Sequence, residues 1–531
     1  MASFEHEKRD SLGHGDEELG GAAVLRSDSE IEKEGGNLLL QVEDAAAAGL
    51  KTAADGKTVL VPQPSDDPRD PLNWSSLKKH TILLIVALAA FNGDFQSGAG
   101  IPLLAPQGEE WGLSPTKVNE AGNLNVLFLG IGGLVWIPPL YFWGRLPVLF
   151  WTQFLGTFMV LGSVLVQDFT VYYALRPLTS LFLTAGQTIG LTFVKDQFFF
   201  HEHARKIGIW VCIFLCSPYC GPFFGGFMVD GLGGQWRPTL WLVFGTSVFV
   251  LLLIVFFADE TWYDRTLAVQ PERTTGILGR IYDLTGVTAF RQRQYKAKVW
   301  PSCMRLLEVF AKPVTWMVFV IYALSFMWAV GINVTSSILF ALPKEAGGYA
   351  FSLRTISFIY FTPLVALVIG ELIGHFLNDF TANRYVAKHK GLFKPECRLP
   401  VYFLAAFLMI PGLIIVGQAL QRQLSVAAVI MGWGMYVVGV MIASVAVTAY
   451  LLDVFPSASG EVSAAVNLAR TMSGFSVGYY QLQWSERDGF DVAFGIQSAI
   501  VGIATLLVLA LWFFGERLRK LGGPLHFAQH Q

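Results

Sequence analysis

Between His80 and Gly515 the chain runs repeatedly for about 18 to 25 residues with few or no charges, and charged loops separate the runs. TILLIVALAAFNGDFQSGAGIPLL, VYFLAAFLMIPGLIIVGQAL and AIVGIATLLVLALWFFG are each long enough to cross a hydrocarbon core of about 30 Å as a helix. An ordinary globular domain does not tolerate so many. The chain is 15% charged and 53% hydrophobic, whereas soluble domains carry about 25% charged residues, and its mean hydropathy is +0.48. The expected fold class is an all-α membrane protein.

The runs predict twelve transmembrane helices near 81–104, 119–141, 148–167, 170–196, 207–228, 238–258, 313–336, 354–378, 400–420, 425–451, 459–482 and 491–515. The expected organisation is a tail 1–79, a six-helix bundle 80–258, a central loop 259–312, a second six-helix bundle 313–515 and a tail 516–531. An even count puts both termini on one side. Arg265, Arg273, Arg280, Arg291, Arg293, Lys296, Lys298, Arg305 and Lys312 crowd the central loop, while the opposite loops 105–118 and 483–490 hold one Lys or Arg each. The positive-inside rule therefore places the tails and the central loop in the cytoplasm. Two similar bundles joined by a flexible linker suit a carrier that rocks about a site near mid-membrane; no filter-like sequence argues for a channel.

Residues 1–79 are acidic and Gly-rich, with EHEKRD and SDSEIEKEGG. Disorder is expected to about Leu60, and without a basic start and apolar core for a signal peptide the first span serves as signal anchor. SDSE reads as a solvated linker, or as a trafficking or phosphorylation segment. The net charge of -2 and the lack of a basic stripe give no reason to expect nucleic acid. Cys212, Cys216 and Cys220 stack on one helix face and, with Cys303 and Cys397, read as packing residues rather than a metal or redox set. No nucleophile, base and metal cluster can be assembled, so no enzyme and no cofactor are expected.

Asp94, in AAFNGDFQSGAG, is the least ordinary residue, because an ionised carboxylate in a span is costly unless it faces a cavity or a partner. It reads as a proton or cation site, as a helix-to-helix hydrogen bond, or as a group nearer the surface. Asn92 and Gln96 are its polar neighbours. Arg176 either snorkels to the outer surface or faces the cavity and pairs with a carboxylate. Gln187 reads as substrate contact or as interhelical glue. Glu371 reads as a second acidic substrate contact or as part of the inner gate, with His375 as its partner on the same face. Glu461 favours a helix N-terminus. Asn333 is polar inside the seventh span, too deep for its NVT sequence to accept a glycan. Trp328, Tyr360, Tyr436, Tyr450, Tyr479 and Tyr480 are candidate walls for an organic cation. Gly221, Gly225 and Gly226 around Pro222 read as a packing hinge.

Several of these pieces together resemble the major facilitator superfamily. Gly144-Arg145-Leu146-Pro147 is similar to its cytoplasmic G-R-R-P turn, Arg176 matches the basic residue of its fourth-span motif, and Cys220-Gly221-Pro222-Phe223-Phe224-Gly225-Gly226 resembles the G-P-x-x-G-G motif of proton-coupled antiporters. Asp67-Pro68-Arg69-Asp70-Pro71-Leu72-Asn73-Trp74 resembles the entry segment of fungal twelve-span drug:proton antiporters. Phe200 to Gly208 and Pro395-Glu396-Cys397-Arg398-Leu399-Pro400 are similar to loops of that branch and of its histidinol and polyamine permease subgroup. The turn departs from the pattern, with Tyr141 at the acidic position and Leu146 at the second arginine, so Arg145 is expected to find another acid or a helix C-terminus. Asp379 keeps part of the role in the second half.

The resemblance implies proton-coupled transport of a small organic cation, polyamine-like or amino-alcohol-like, by a monomer in the fungal plasma membrane. Asp94 and Glu371 would be the counter-charges, and the proton gradient the energy source. The alternatives are a multidrug or secondary-metabolite:proton antiporter exporting amphipathic compounds, and a nutrient sensor of transporter architecture.

Overall fold

The computed structural model describes residues 60–265, 267, 270–341, 348–389 and 392–525, with short pieces at 38–39 and 51–52. Most of the tail expected to be disordered, including SDSE, lies outside the described residues. Within them, Leu38 and Leu39 pair antiparallel with Phe393 and Leu392, a two-residue ladder on an otherwise helical chain.

Twelve long helices follow, each a span predicted from the sequence: α1 Ser76–Trp111, α2 Pro115–Phe142, α3 Arg145–Leu165, α4 Phe169–Gln197, α5 Phe200–Gly231, α6 Arg237–Phe257, α7 Pro313–Ala341, α8 Leu353–Lys388, α9 Pro395–Gln421, α10 Val426–Val454, α11 Ser459–Asp488 and α12 Phe490–Gly522. Among the described residues eleven of them are long and apolar enough to cross a membrane. The exception is α11, whose apolar run is interrupted by Glu461, Asn467, Arg470 and Thr471. All four are buried. Several helices outrun their apolar stretch by a turn or two, because Ser and Asp caps such as Ser75, Ser114 and Asp168 extend them at the N-terminus. Others are broken inside the span: α1 passes through a tight turn at Ile101–Leu103, and α4 through Thr184.

The surface is that of a lipid-facing bundle. Phe158, Phe256, Phe407, Met431 and Phe513 are all more than half exposed, which water does not tolerate in such number and lipid does. Lipid offers no hydrophobic force between helices, so close approach through small residues holds the bundle together. A Cβ on Gly412 would stand 2.8 Å from the Gly432 carbonyl oxygen, and the converse holds, so α9 and α10 touch backbone to backbone. A Cβ on Gly98 would stand 2.5 Å from the Pro218 carbonyl, and one on Gly221 would strike the backbone of Gly98 and Ala99, so α1 and α5 meet the same way.

The segment joining the bundles is folded, with helices at Gly276–Thr285, Val287–Arg291 and Val299–Ala311. The end of the bundle that carries it is here called the linker end, and the opposite one the far end. The entry segment is tied to it. Asp70 is fully buried and accepts from Arg265 at 2.7 Å and from the Leu72 and Ser65 amides. Burial pushes its carboxyl up, but Arg265 and these amides outweigh that and hold it below the usual carboxylate value. A depressed folded pKa gives stability that is complete above the unfolded value and lost as pH falls through the folded one. Asp70→Asn is therefore expected to weaken the clamp at neutral pH by about 2 kcal/mol, read as faster amide exchange across residues 65–74. It leaves little further loss on acidification.

Candidate functional site

A cavity of about 100 Å³ lies between the two bundles. One water needs roughly 10–15 Å³ of such space, so the cavity has room for several. Asp94 on α1 and Arg470 on α11 form its floor. Its walls run from there toward the far end, along Ile101 and Leu104, Val118 to Val126, Tyr172 and Arg176, and Asn333 and Val334. No lining residue lies on the linker side of Asp94 along α1.

Asp94 accepts from Arg470 Nη1 at 2.5 Å, with both side chains about 95% buried. The other guanidinium nitrogen, Nη2, donates to Gln187 Oε1 and Asn467 Oδ1, each at 2.9 Å. Gln187 in turn donates to the Ala90 carbonyl at 3.1 Å, where Gly93 leaves room for its amide. Phe214 and Phe326 flank the guanidinium at 5.4 and 5.7 Å. A buried ion pair of this kind holds only with its remaining protons satisfied. Here the amides of Gln187 and Asn467 do that, one from each bundle.

Arg470 and Asn467 were missed in the sequence reading. The signal was available: an arginine twelve residues into a span is as costly as an aspartate.

Arg176 also lines the cavity, 3% exposed, but it meets neither the expected carboxylate nor the outer surface. Its Nη1 donates to Gln96 O at 2.9 Å and Gln96 Oε1 at 2.8 Å. Gln96 also donates to Ser180 and Asn125, a polar knot that binds α1, α2 and α4. Among the described residues no carboxylate reaches Arg176. The break after Gly98 explains the attachment: Arg176 takes carbonyls at the end of the first helical segment, and Gly100 lets it approach.

Other expected residues sit elsewhere. Asn92 is buried outside the cavity, as is Gln96. Asn333 lines it and accepts from the Tyr360 hydroxyl at 2.7 Å, so Tyr360 stands behind the wall. Tyr436 donates to the Ser325 carbonyl at 2.6 Å inside the second bundle. None of the six aromatics expected as walls lines the cavity; Tyr172, Tyr219 and Phe326 do. Glu371 does not join Asp94. It abuts Gly208 where α8 packs on α5, and its expected partner His375 lies 3.7 Å from Asp379 instead.

The linker end is closed by a second charged cluster. Glu461, fully buried in the first turn of α11, accepts from the Tyr141 hydroxyl at 2.6 Å and from Arg305 at 2.9 Å. The Arg305 guanidinium also lies 3.9 Å over the Tyr141 ring. The acid absent from α2 is thus supplied by α11, with Tyr141 as its donor. Ser463 donates to the Gln187 backbone and Asn467 to the Leu129 backbone, extending the seam between the bundles up to the cavity floor.

The turn at Gly144 requires glycine, with φ +114° and Glu260 packed where a Cβ would stand. Glu260 accepts from the Arg145 and Leu146 amides at 3.2 Å. Burial raises its pKa, and Lys296 and Arg145 more than reverse this, so it stays ionised; burial brings Lys296 down to about 8. Arg145 reaches Asp196 at the end of α4, 3.1 Å away. In the second bundle Arg398, at the start of α9, pairs with Asp453 at the end of α10. That pair repeats Arg145 and Asp196 at the equivalent helix ends; Asp379, expected to keep part of this role, makes no direct ion pair with Arg398 but adds its negative charge nearby in support of it. Gly221, Gly225 and Gly226 pack α5 on α1, α6 and α8 in turn, against Ala99, Thr239 and Ser357, and Pro222 lies within the helix.

Two six-helix bundles around a charged cavity, closed at one end, define a membrane carrier rather than an enzyme. A sequence model of the Major Facilitator Superfamily matches residues 47–479, and the chain belongs to that family. It is 24% identical to efflux pump radE of Floropilus chiversii over 86% of this chain and 84% of that one. It is 22% identical to the major facilitator superfamily multidrug transporter mdrA of Aspergillus fumigatus over 91% and 78%. Among solved structures, the proton:xylose symporter XylE bound to 6-bromo-6-deoxy-D-glucose superposes with a TM-score of 0.58 at 14% identity, covering 84% of this chain and 100% of that one. The fold is therefore that of this superfamily, and the chain is an integral membrane transporter of small molecules.

Proposed function

We propose that the protein is a proton-driven exporter of amphipathic small molecules working by alternating access. One observation carries the reading: the cavity holds Arg176 and Arg470 against the single carboxylate of Asp94, and that carboxylate is already paired. In a low-dielectric site the surplus positive charge repels a cation, which argues against the organic cation that the sequence suggested. Glu371, the other counter-charge expected, lies outside the cavity. A neutral compound with apolar surface and a hydrogen-bond donor for Asp94 fits Tyr172, Tyr219, Phe326 and Val330. The names of the relatives, an efflux pump and a multidrug transporter, support export.

Coupling follows from shared oxygens. A proton on Asp94 releases Arg470, and a substrate hydrogen-bond donor competes with that proton for the same carboxylate. Two ligands that exclude each other at one group are exchanged rather than carried together. Basic residues gathered at the linker end support a cytoplasmic location for it and both termini, and on that reading the cavity of this state faces outward; the expected location is the plasma membrane of a fungus.

The test is transport in sealed vesicles across a panel of neutral, acidic and cationic amphipaths, with a proton gradient imposed in either direction. Neutral compounds that carry a hydrogen-bond donor are expected to move against their gradient only when protons flow the other way. Preferential movement of a polyamine-like cation, or indifference to the gradient, rejects the proposal.

A further inference from the structure

Away from the cavity, the ends of α8 and α12 and the turn at Pro395–Arg398 enclose a cleft of about 570 Å³ at the linker end, within the roughly 300–1,000 Å³ of small-ligand pockets. Its two acids are already matched. Glu396 takes Arg519 in a two-pronged pair at 2.7 and 2.9 Å, and Glu516 lies between Lys394 at 3.1 Å and Lys520 at 2.8 Å. Arg384 and Lys388 also line the cleft, exposed, and neither meets a carboxylate among the described residues. The cleft therefore carries two spare positive charges.

Its other wall is aromatic. Trp512 and Phe513 line it, 41% and 66% exposed, on the face of α12 that continues into the apolar span. Tryptophan favours the depth where hydrocarbon meets headgroups, and lysine and arginine reach from there toward phosphate. A soluble phosphate compound uses the cations and leaves the aromatic wall bare. A zwitterionic lipid brings no net charge to match them.

We propose that this cleft binds an anionic phospholipid of the leaflet at the linker end, with its phosphate on Arg384 and Lys388 and its chains along Trp512 and Phe513. The site is separate from the transport cavity and its test does not depend on the substrate. Purified full-length protein, delipidated in detergent, is titrated with phosphatidylinositol or phosphatidylcholine, and bound lipid is counted by native mass spectrometry. Arg384→Gln/Lys388→Gln is expected to bind phosphatidylinositol about thirtyfold more weakly, from roughly fivefold per basic residue near an anionic surface, with phosphatidylcholine unchanged. The contrast should shrink in high salt. Unchanged phosphatidylinositol binding in the variant overturns the proposal, as does an equal loss of phosphatidylcholine. Glycerophosphoinositol, which lacks the chains, binding as tightly as the intact lipid also overturns it.

Discussion

Asp94→Asn is expected to reach the membrane and to carry no substrate against its gradient. The amide keeps the shape of the side chain and can still accept from Arg470, but it cannot exchange a proton. Removing one member of a buried pair costs about 3–5 kcal/mol; here Gln187 and Asn467 still hold the other guanidinium nitrogen, so the loss should lie at or below the lower end. Two measurements separate coupling from stability. Thermal unfolding of Asp94→Asn is expected to fall by several degrees, and Asp94→Asn/Arg470→Gln should recover much of that, because the orphaned charge is gone. Gradient-driven transport in vesicles should stay at the leak level in both. Uphill transport by the double variant would remove Asp94 from the coupling mechanism.

A comparable effect is expected at the closed end. Glu461 accepts from both Tyr141 and Arg305, so Glu461→Gln weakens a tie between the first bundle, the linker and the second bundle at once, leaving Arg305 its bond to the Ser457 carbonyl. If about 3 kcal/mol is withdrawn from the closed state, the equilibrium moves on the order of 100-fold toward opening at the linker end. A cysteine placed at Leu140, fully buried beside Gly460, reports this. Its labelling by a maleimide in a background lacking the five native cysteines should accelerate strongly in Glu461→Gln and in Arg305→Met, and modestly in Tyr141→Phe. Equal rates in all of them would mean that the closed end is held by packing alone.

The span count, the two bundles and the close glycine packing of α5 could be read from the sequence because they rest on local pattern, apolar runs and four-residue spacing. Asp94 could be singled out for the same reason: a charge in such a run is conspicuous on its own. Its partner could not be assigned. Arg470 lies 376 residues away, and no periodicity in α1 selects among the arginines. Glu371 marks the limit of that signal. It has the composition of a binding residue, but its helix face is turned to Gly208 on α5, and depth along a helix says nothing about rotation around it. The aromatics failed for want of discrimination, since 42 Phe, 15 Trp and 16 Tyr give too many equivalent candidates. The departure at Tyr141 was visible, and its compensation by Glu461 was not, because a lost charge can be replaced from any helix that packs nearby.

The stretch between the bundles, expected to be a flexible tether, is fastened at many places, among them to Asp70 through Arg265, to the Gly144 turn through Glu260 and Lys296, and to α11 through Arg305. A connector held to both halves works as a gear rather than a hinge. On the proposed alternating-access cycle it couples rotation of either half to the other, and its ties to the moving half must be remade each time the carrier changes the side it faces.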